Sequence, residues 1–150
     1  MNDKPLIPVA IELHRQSRKL DLRYADGQQF SLECEYLRVY SPSAEVRGHG
    51  VGQETLQTGK INVTITEIKS VGNYALQFTF SDGHDTGIYS WNYLHELCVE
   101  ESRYWDDYLR RLHDAGASRD PEVQVVRLEL GVPASTAAQT GVQQFDPGKK

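Results

Sequence analysis

The sequence predicts an α+β fold, an antiparallel β-meander and hairpins packed with a C-terminal helix or helix pair. Three patterns carry that prediction. Apolar and polar residues alternate through residues 9–32, the period of half-buried strands. A second alternating unit runs from 61 to 89, with turn residues between its parts. From Trp91 onward the apolar spacing changes to three and four, the period of a helix with one buried face. The 150 residues suffice for one domain with a real core.

In the first unit Val9, Ile11 and Leu13 share a face. After a polar RQSR turn, Leu20, Leu22 and Tyr24 resume the period, with Lys19, Asp21 and Arg23 opposed. Asp26-Gly27 then supplies a tight hairpin turn, and Phe30 and Leu32 continue beyond it. Residues 33–46, ECEYLRVYSPSAEV, lose the alternation. Glu33 to Tyr40 predict a short helix or turn before Pro42, because proline disfavours helix in the residue that precedes it. RGHGVGQETLQTGK (47–60) holds four glycines without G-x-G-x-x-G spacing, and predicts a flexible loop rather than a dinucleotide site.

The second unit begins with INVTITEI (61–68), which places Ile61, Val63 and Ile65 on one face. Gly72-Asn73 offers a turn, Tyr74, Leu76, Phe78 and Phe80 alternate through 74–80, and TGIY (86–89) pairs back after SDGHD. Ser90 is a predicted helix N-cap, its hydroxyl accepting from a free amide of the first turn. Trp91, Leu94 and Cys98, then Trp105, Tyr108, Leu109 and Leu112, fall at helical spacing. The weakly apolar 99–103 leaves open one helix or two across 91–115. Asp106 with Arg110 and Asp107 with Arg111 are i,i+4 pairs, and Gly116 is a natural stop. The expected domain is 1–116. The extension 117–150 holds a candidate edge strand at 121–130 and then a small, polar tail expected to be disordered.

Net charge is −5, and no basic run exceeds a dipeptide before the terminal Lys149-Lys150, which argues against nucleic-acid binding. MNDKPLIPVAIELH lacks the charged start and longer apolar core of a signal peptide, and no stretch approaches the ~18 apolar residues of a membrane helix. A cytoplasmic protein without membrane contact is expected. Cys34 and Cys98 form no C-x-x-C pair and are expected as free thiols, a disulfide requiring that the fold bring them together.

No serine sits in a G-x-S-x-G elbow, and Cys98 lies on the predicted core stripe. Glu100-Glu101 and Asp106-Asp107 fit solvated helix faces, so no catalytic residue is assigned. The histidines His14, His49, His84, His95 and His113 include no H-x-D, H-x-E or H-E-x-x-H. His95 and Cys98 supply only two donors where structural zinc needs four. The DGHD turn places Asp82, His84 and Asp85 within four positions.

LDLRYADGQQFSLECEYLR (20–38) and ITEIKSVGNYALQFTFSDGHDTGIYSWNYLHEL (65–97), in that order, resemble the gamma-butyrobetaine-hydroxylase-like N-terminal domain family. The resemblance implies a domain found alone in bacteria, at the N-terminus of carnitine-pathway 2-oxoglutarate oxygenases, and appended to Mrp-type iron–sulfur scaffold ATPases. In the oxygenases it implies a zinc module, with C-x-C-x-x-C after an LR pair and a histidine from DGH. Here Leu37-Arg38 matches LR, the cysteine positions fall on Ser41, Ser43 and Val46, and the histidine is His84.

Thiolates supply most of a structural zinc site's affinity, whereas serine hydroxyls stay protonated near neutral pH and valine offers no donor. The zinc site is therefore expected to be lost, a rebuilt Glu45–His49–His84 site being the minor alternative. His84 is expected at a hairpin tip, bonded across the 41–46 turn to Ser41 or Ser43. Asp82 serves as a turn former, Arg38 pairs with a carboxylate, and Tyr89 and Trp91 fall to core or rim. The expected function is a non-catalytic binding or adaptor module without a cofactor. An unidentified protein partner would be met by Arg38, Ser41, Ser43, Asp82, His84, Tyr89 and Trp91. The alternative is an accessory protein that handles zinc or iron, linked to iron–sulfur assembly.

Overall fold

The first alternating unit folds as an antiparallel meander of β1 (Ala10–His14), β2 (Lys19–Arg23) and β3 (Gln29–Glu33). The structure is a computed structural model that describes residues 6–48 and 54–123. Register follows the apolar residues: Leu20 lies opposite Leu13 and Leu32, and Leu22 opposite Ile11 and Phe30. Gly27, at φ 94°, makes the turn that a side chain would strain.

The chain then enters α1 (Cys34–Val39), all six residues of which are buried. Its fixed contacts come from far along the sequence: Tyr36 donates its hydroxyl to the Leu97 carbonyl at 2.7 Å, and Tyr89 donates to the Leu37 carbonyl at 2.6 Å. A single helical turn, α2 (Ala44–Arg47), follows across the expected 41–46 turn. The GHGVG glycine run lies mostly outside the described residues.

The second unit forms another antiparallel sheet, β4 (Ile65–Val71), β5 (Ala75–Phe80) and β6 (Ile88–Ser90), in that order. The strand expected from Ile61 starts four residues later. Ile61 donates its amide to the Arg119 carbonyl, Val63 to Lys60 and Thr64 to the Ser81 hydroxyl, so these amides make no ladder. Tyr74 is at the turn and exposed, outside the alternation assigned to it.

Ser90 ends β6 and caps α3 (Trp91–Val99), its hydroxyl accepting from the Tyr93 amide at 3.1 Å. The helical region is two helices, because Glu100 breaks the geometry before α4 (Glu101–Ala115), and Gly116 closes α4 in the left-handed conformation at φ 65°. On α4 both Arg110 and Arg111 turn to Asp107, which replaces the expected Asp106–Arg110 pair.

Both sheets pack with α1 and α3 around one core that includes Leu20, Leu32, Leu37, Phe78, Tyr89 and Leu94. Burying one such side chain contributes roughly 2–3 kcal/mol, against less than about 1 for an exposed ion pair, so this packing sets the architecture. Cys34 and Cys98 are both buried and free. Burial pushes the Cys98 thiol up to about 12, so it stays protonated.

Packing continues past Gly116. Ser118 and Arg119 accept from the amides of Gly59 and Ile61, and Arg119 reaches Glu35. The expected edge strand opens instead as a 3-10 turn, Pro121–Val123, since proline has no amide to donate. Residues 124–130 and the tail expected to be disordered lie outside the described residues.

Candidate functional site

The turn between β5 and β6 is set by Asp82 and Gly83. One Asp82 carboxylate oxygen accepts from the His84 amide at 3.2 Å, and Gly83 takes φ 90°. The other oxygen accepts from Arg38 Nε at 2.9 Å and Lys60 Nζ at 2.6 Å. Burial raises the Asp82 carboxyl, but the bonds from Lys60 and the His84 amide and the Arg38 charge outweigh it, holding the pKa at about 2. Arg38 Nη1 is buried with no protein partner, so Asp82 is the countercharge that permits this guanidinium to sit inside.

His84 points inward from the turn, its side chain only 6% exposed. Its Nε2 lies 2.8 Å from Ser41 Oγ and 3.3 Å from Ser43 Oγ, and its Nδ1 lies 3.3 Å from a Glu45 carboxylate oxygen. The partners assign the tautomer: Nδ1–H faces the carboxylate, and Nε2 accepts from the hydroxyls. Thr86 donates to the same Glu45 oxygen at 2.9 Å. Burial, then the Arg38 charge, lower the His84 pKa, with Glu45 and Asp82 opposing. The neutral ring is thus the resting form.

Gly87 completes the clasp. A Cβ there would come 2.3 Å from Ser41 Oγ and 3.1 Å from Pro42 Cδ, so only glycine lets the turn lie this close. The same closeness bears on catalysis. Glu45, His84 and Ser41 form a carboxylate–imidazole–hydroxyl row, the order of an activated serine. Yet Ser41 is 1% exposed, with its oxygen packed against Gly87 and already bonded to the imidazole.

The residues carried over from the zinc pattern do meet: Ser41 and Ser43 flank His84 Nε2, and Val46 is buried on α2 just beyond. As a donor set they do not fit zinc. Two neutral hydroxyls, one imidazole whose lone pair is already engaged and a valine offer no thiolate to neutralise the ion. Of the minor alternative, Glu45 is beside His84 and His49 lies outside the described residues. A different cluster escaped the sequence reading. Glu12, His14 and Asp21 hold donor atoms within 4.8 Å of one another on the meander, with Glu12 opposite Asp21 in register. Its signal was the i,i+2 pair on β1, legible only once the strand register is known.

The expected contact residues need correction. Tyr89 is fully buried, its hydroxyl used on Leu37, and Trp91 is 8% exposed with its indole N–H donating to the Asn73 carbonyl. Arg38, Ser41 and Ser43 are also buried, because each bonds into the clasp. None of these five presents a surface to a partner. What the turn exposes is a rim of Glu45, Arg47, Asp85, Thr86 and Ile88.

The model of the gamma-butyrobetaine hydroxylase-like, N-terminal family matches residues 11–95, more than half of the chain and all of the turn. The chain belongs to that family. Two solution NMR structures are similar to this family member, one at 48% identity over 85% of this chain and 100% of the other, with a TM-score of 0.72. The second has 49% identity over 83% and 92%, with a TM-score of 0.67. A crystal structure of a protein of unknown function in the DUF971 family, from Acidithiobacillus ferrooxidans ATCC 23270, has 40% identity over 60% of this chain and 90% of that one, with a TM-score of 0.51. No curated protein matches this gamma-butyrobetaine hydroxylase-like domain. Among the described residues no helix is long and apolar enough to cross a membrane.

Proposed function

We propose that this gamma-butyrobetaine hydroxylase-like domain is a non-catalytic, cytosolic binding module that meets a protein partner through the rim of the His84 turn. One observation carries the reading: both ring nitrogens of His84 are engaged inside the protein, by Ser41 and Ser43 on one side and Glu45 on the other. A histidine used this way is a fastener, with neither a lone pair for a metal nor a path for a substrate. Fastening α2 to the turn holds the exposed Glu45, Arg47, Asp85, Thr86 and Ile88 in a fixed arrangement, which lowers the ordering cost of association.

The test is quantitative affinity capture with wild type and with Glu45→Lys/Asp85→Lys. A partner retained by wild type and lost by the charge-reversed rim supports the reading; retention by both, or no partner, overturns it. The second reading, metal handling, is favoured by the Glu12–His14–Asp21 cluster alone. Elemental analysis of untagged protein decides it, since near-stoichiometric zinc or iron would displace the first reading.

A further inference from the structure

A cavity of about 480 Å³ lies between the end of α1, α2, the segment 54–57, α3 and α4. That size lies within the usual range for small-molecule sites. Four aromatic rings line it, those of Tyr40, Tyr93, Tyr104 and Tyr108. None of the four rings is free to turn away. Tyr40 donates to the Tyr104 carbonyl at 2.7 Å, Tyr93 to the Tyr40 carbonyl at 2.5 Å, and Tyr108 to the Gln57 carbonyl at 2.7 Å, while Tyr104 donates to Glu96. Tyr40 and Tyr104 also stack, with centroids 5.2 Å apart. The hydroxyls are thus used on the protein, and the rings give the cavity a rigid, flat-faced lining. The phenols stay neutral, burial raising Tyr40, Tyr93 and Tyr108 and the Glu96 bond raising Tyr104 to about 12.

The charges in the lining are not all matched. Arg111 is held by Asp107 at 3.1 Å and bonds the Tyr40 hydroxyl, and Glu96 takes the Tyr104 proton donor. Arg47 is different. Its guanidinium lies over the Tyr93 ring, 4.6 Å from the centroid, while the arginine ion pairs among the described residues belong to Arg38, Arg103, Arg110, Arg111 and Arg119. Stacking fixes the plane of a guanidinium and leaves its N–H edge open, the geometry that grips a carboxylate in two parallel bonds. Glu54 and Glu96 in the same lining oppose a second or third negative charge.

We propose that this cavity binds a small organic monoanion with a flat apolar body, the ring lying among the tyrosines and the carboxylate against Arg47. The proposal shares Arg47 with the rim of the protein-contact reading but rests on the cavity and its tyrosines, and its probes report binding whether or not a protein partner exists. Naphthalene-2-carboxylate is the probe, 2-naphthalenemethanol its neutral counterpart and ATP the polyanion. Each is titrated into the full chain and followed by amide NMR shifts. Saturable shifts at Tyr40, Tyr93, Tyr104 and Tyr108 are expected for the carboxylate. Arg47→Met should weaken it about tenfold and leave the alcohol unchanged, since a lost charge-assisted bond accounts for that factor. Arg47 is exposed, so the variant keeps its fold, which an unchanged spectrum of the core amides verifies. No saturable shift, equal binding of acid and alcohol, or indifference to Arg47→Met would overturn the proposal. Tighter binding of ATP than of the carboxylate would overturn the monoanion class.

Discussion

The two ends of α1 are tied down by different polar chemistry. At the C-terminal end Arg38 meets Asp82, and Ser41 and Ser43 meet His84, so one hairpin turn supplies a network of several modest bonds. At the N-terminal end a single arginine neutralises the buried charge. Glu35, 4% exposed, receives two parallel bonds of 2.7 and 2.8 Å from Arg119, which also lies over Trp105. In the first junction the buried cation is Arg38 and the anion reaches water; in the second the buried group is the anion and the cation reaches water. What each junction contributes is therefore governed less by the bonds it makes than by the charge left inside when the outer partner is removed.

That comparison can be broken by removing each outer partner in turn. Asp82→Asn keeps the shape and strands Arg38 with Lys60, and should cost roughly 3 kcal/mol in urea unfolding. It should also flatten the acid limb. The folded pKa of Asp82, about 2, lies below its unfolded value, so its stabilisation is present above about pH 4 and lost as pH falls towards 2. Arg119→Met strands the buried Glu35 carboxylate in the same way, and a comparable loss of roughly 3 kcal/mol is expected from the same measurement. If either variant lost no more than about 1 kcal/mol, the worth of an exposed ion pair, the rule about the stranded charge would fail.

Smaller changes sharpen the picture within the clasp. His84→Ala should cost about 1.5 kcal/mol, the net value of the bonds to Ser41 and Ser43 with some packing. Because the folded His84 pKa is lowered, the unfolded chain takes up the proton first, and wild-type stability should fall as pH drops below about 6.5. Thermal melts of His84→Ala should lose that slope and keep the lower one from Asp82. Thr86→Val, which removes an exposed bond to Glu45, should shift stability by only about 0.5 kcal/mol.

Legibility in the sequence followed distance along the chain. The meander shows in the alternation of Leu20, Leu22 and Leu32 because strand period is local, and the Ser90 cap because its partner Tyr93 is three residues away. The meeting of His84 with Ser41 was expected from a family pattern and not from any local spacing. Residues 61–64 looked like strand by period, yet the Arg119 carbonyl takes the Ile61 amide, a competition no window of sequence reveals. Arg119 itself fell in a stretch assigned to an extension, and its partner is 84 positions away. The tyrosine cavity was hidden for the same reason. Tyr40 just past α1, Tyr93 on α3, and Tyr104 and Tyr108 on α4 converge, and only the fold makes them one wall.

The brevity of α1 has a consequence for how the protein assembles. Six residues cannot sustain a helix in water, where nucleation costs more than so few bonds return. Its anchors join residues 52, 61 and 84 positions apart, so the helix gains its partners only after long stretches of chain have closed on it. Such non-local topology slows folding relative to a helical bundle. The amides of Leu37 and Arg38 should then become protected from deuterium late in refolding, after those of the meander. In the native protein they should exchange only through global opening, making a short helix one of the slowest-exchanging parts of the molecule.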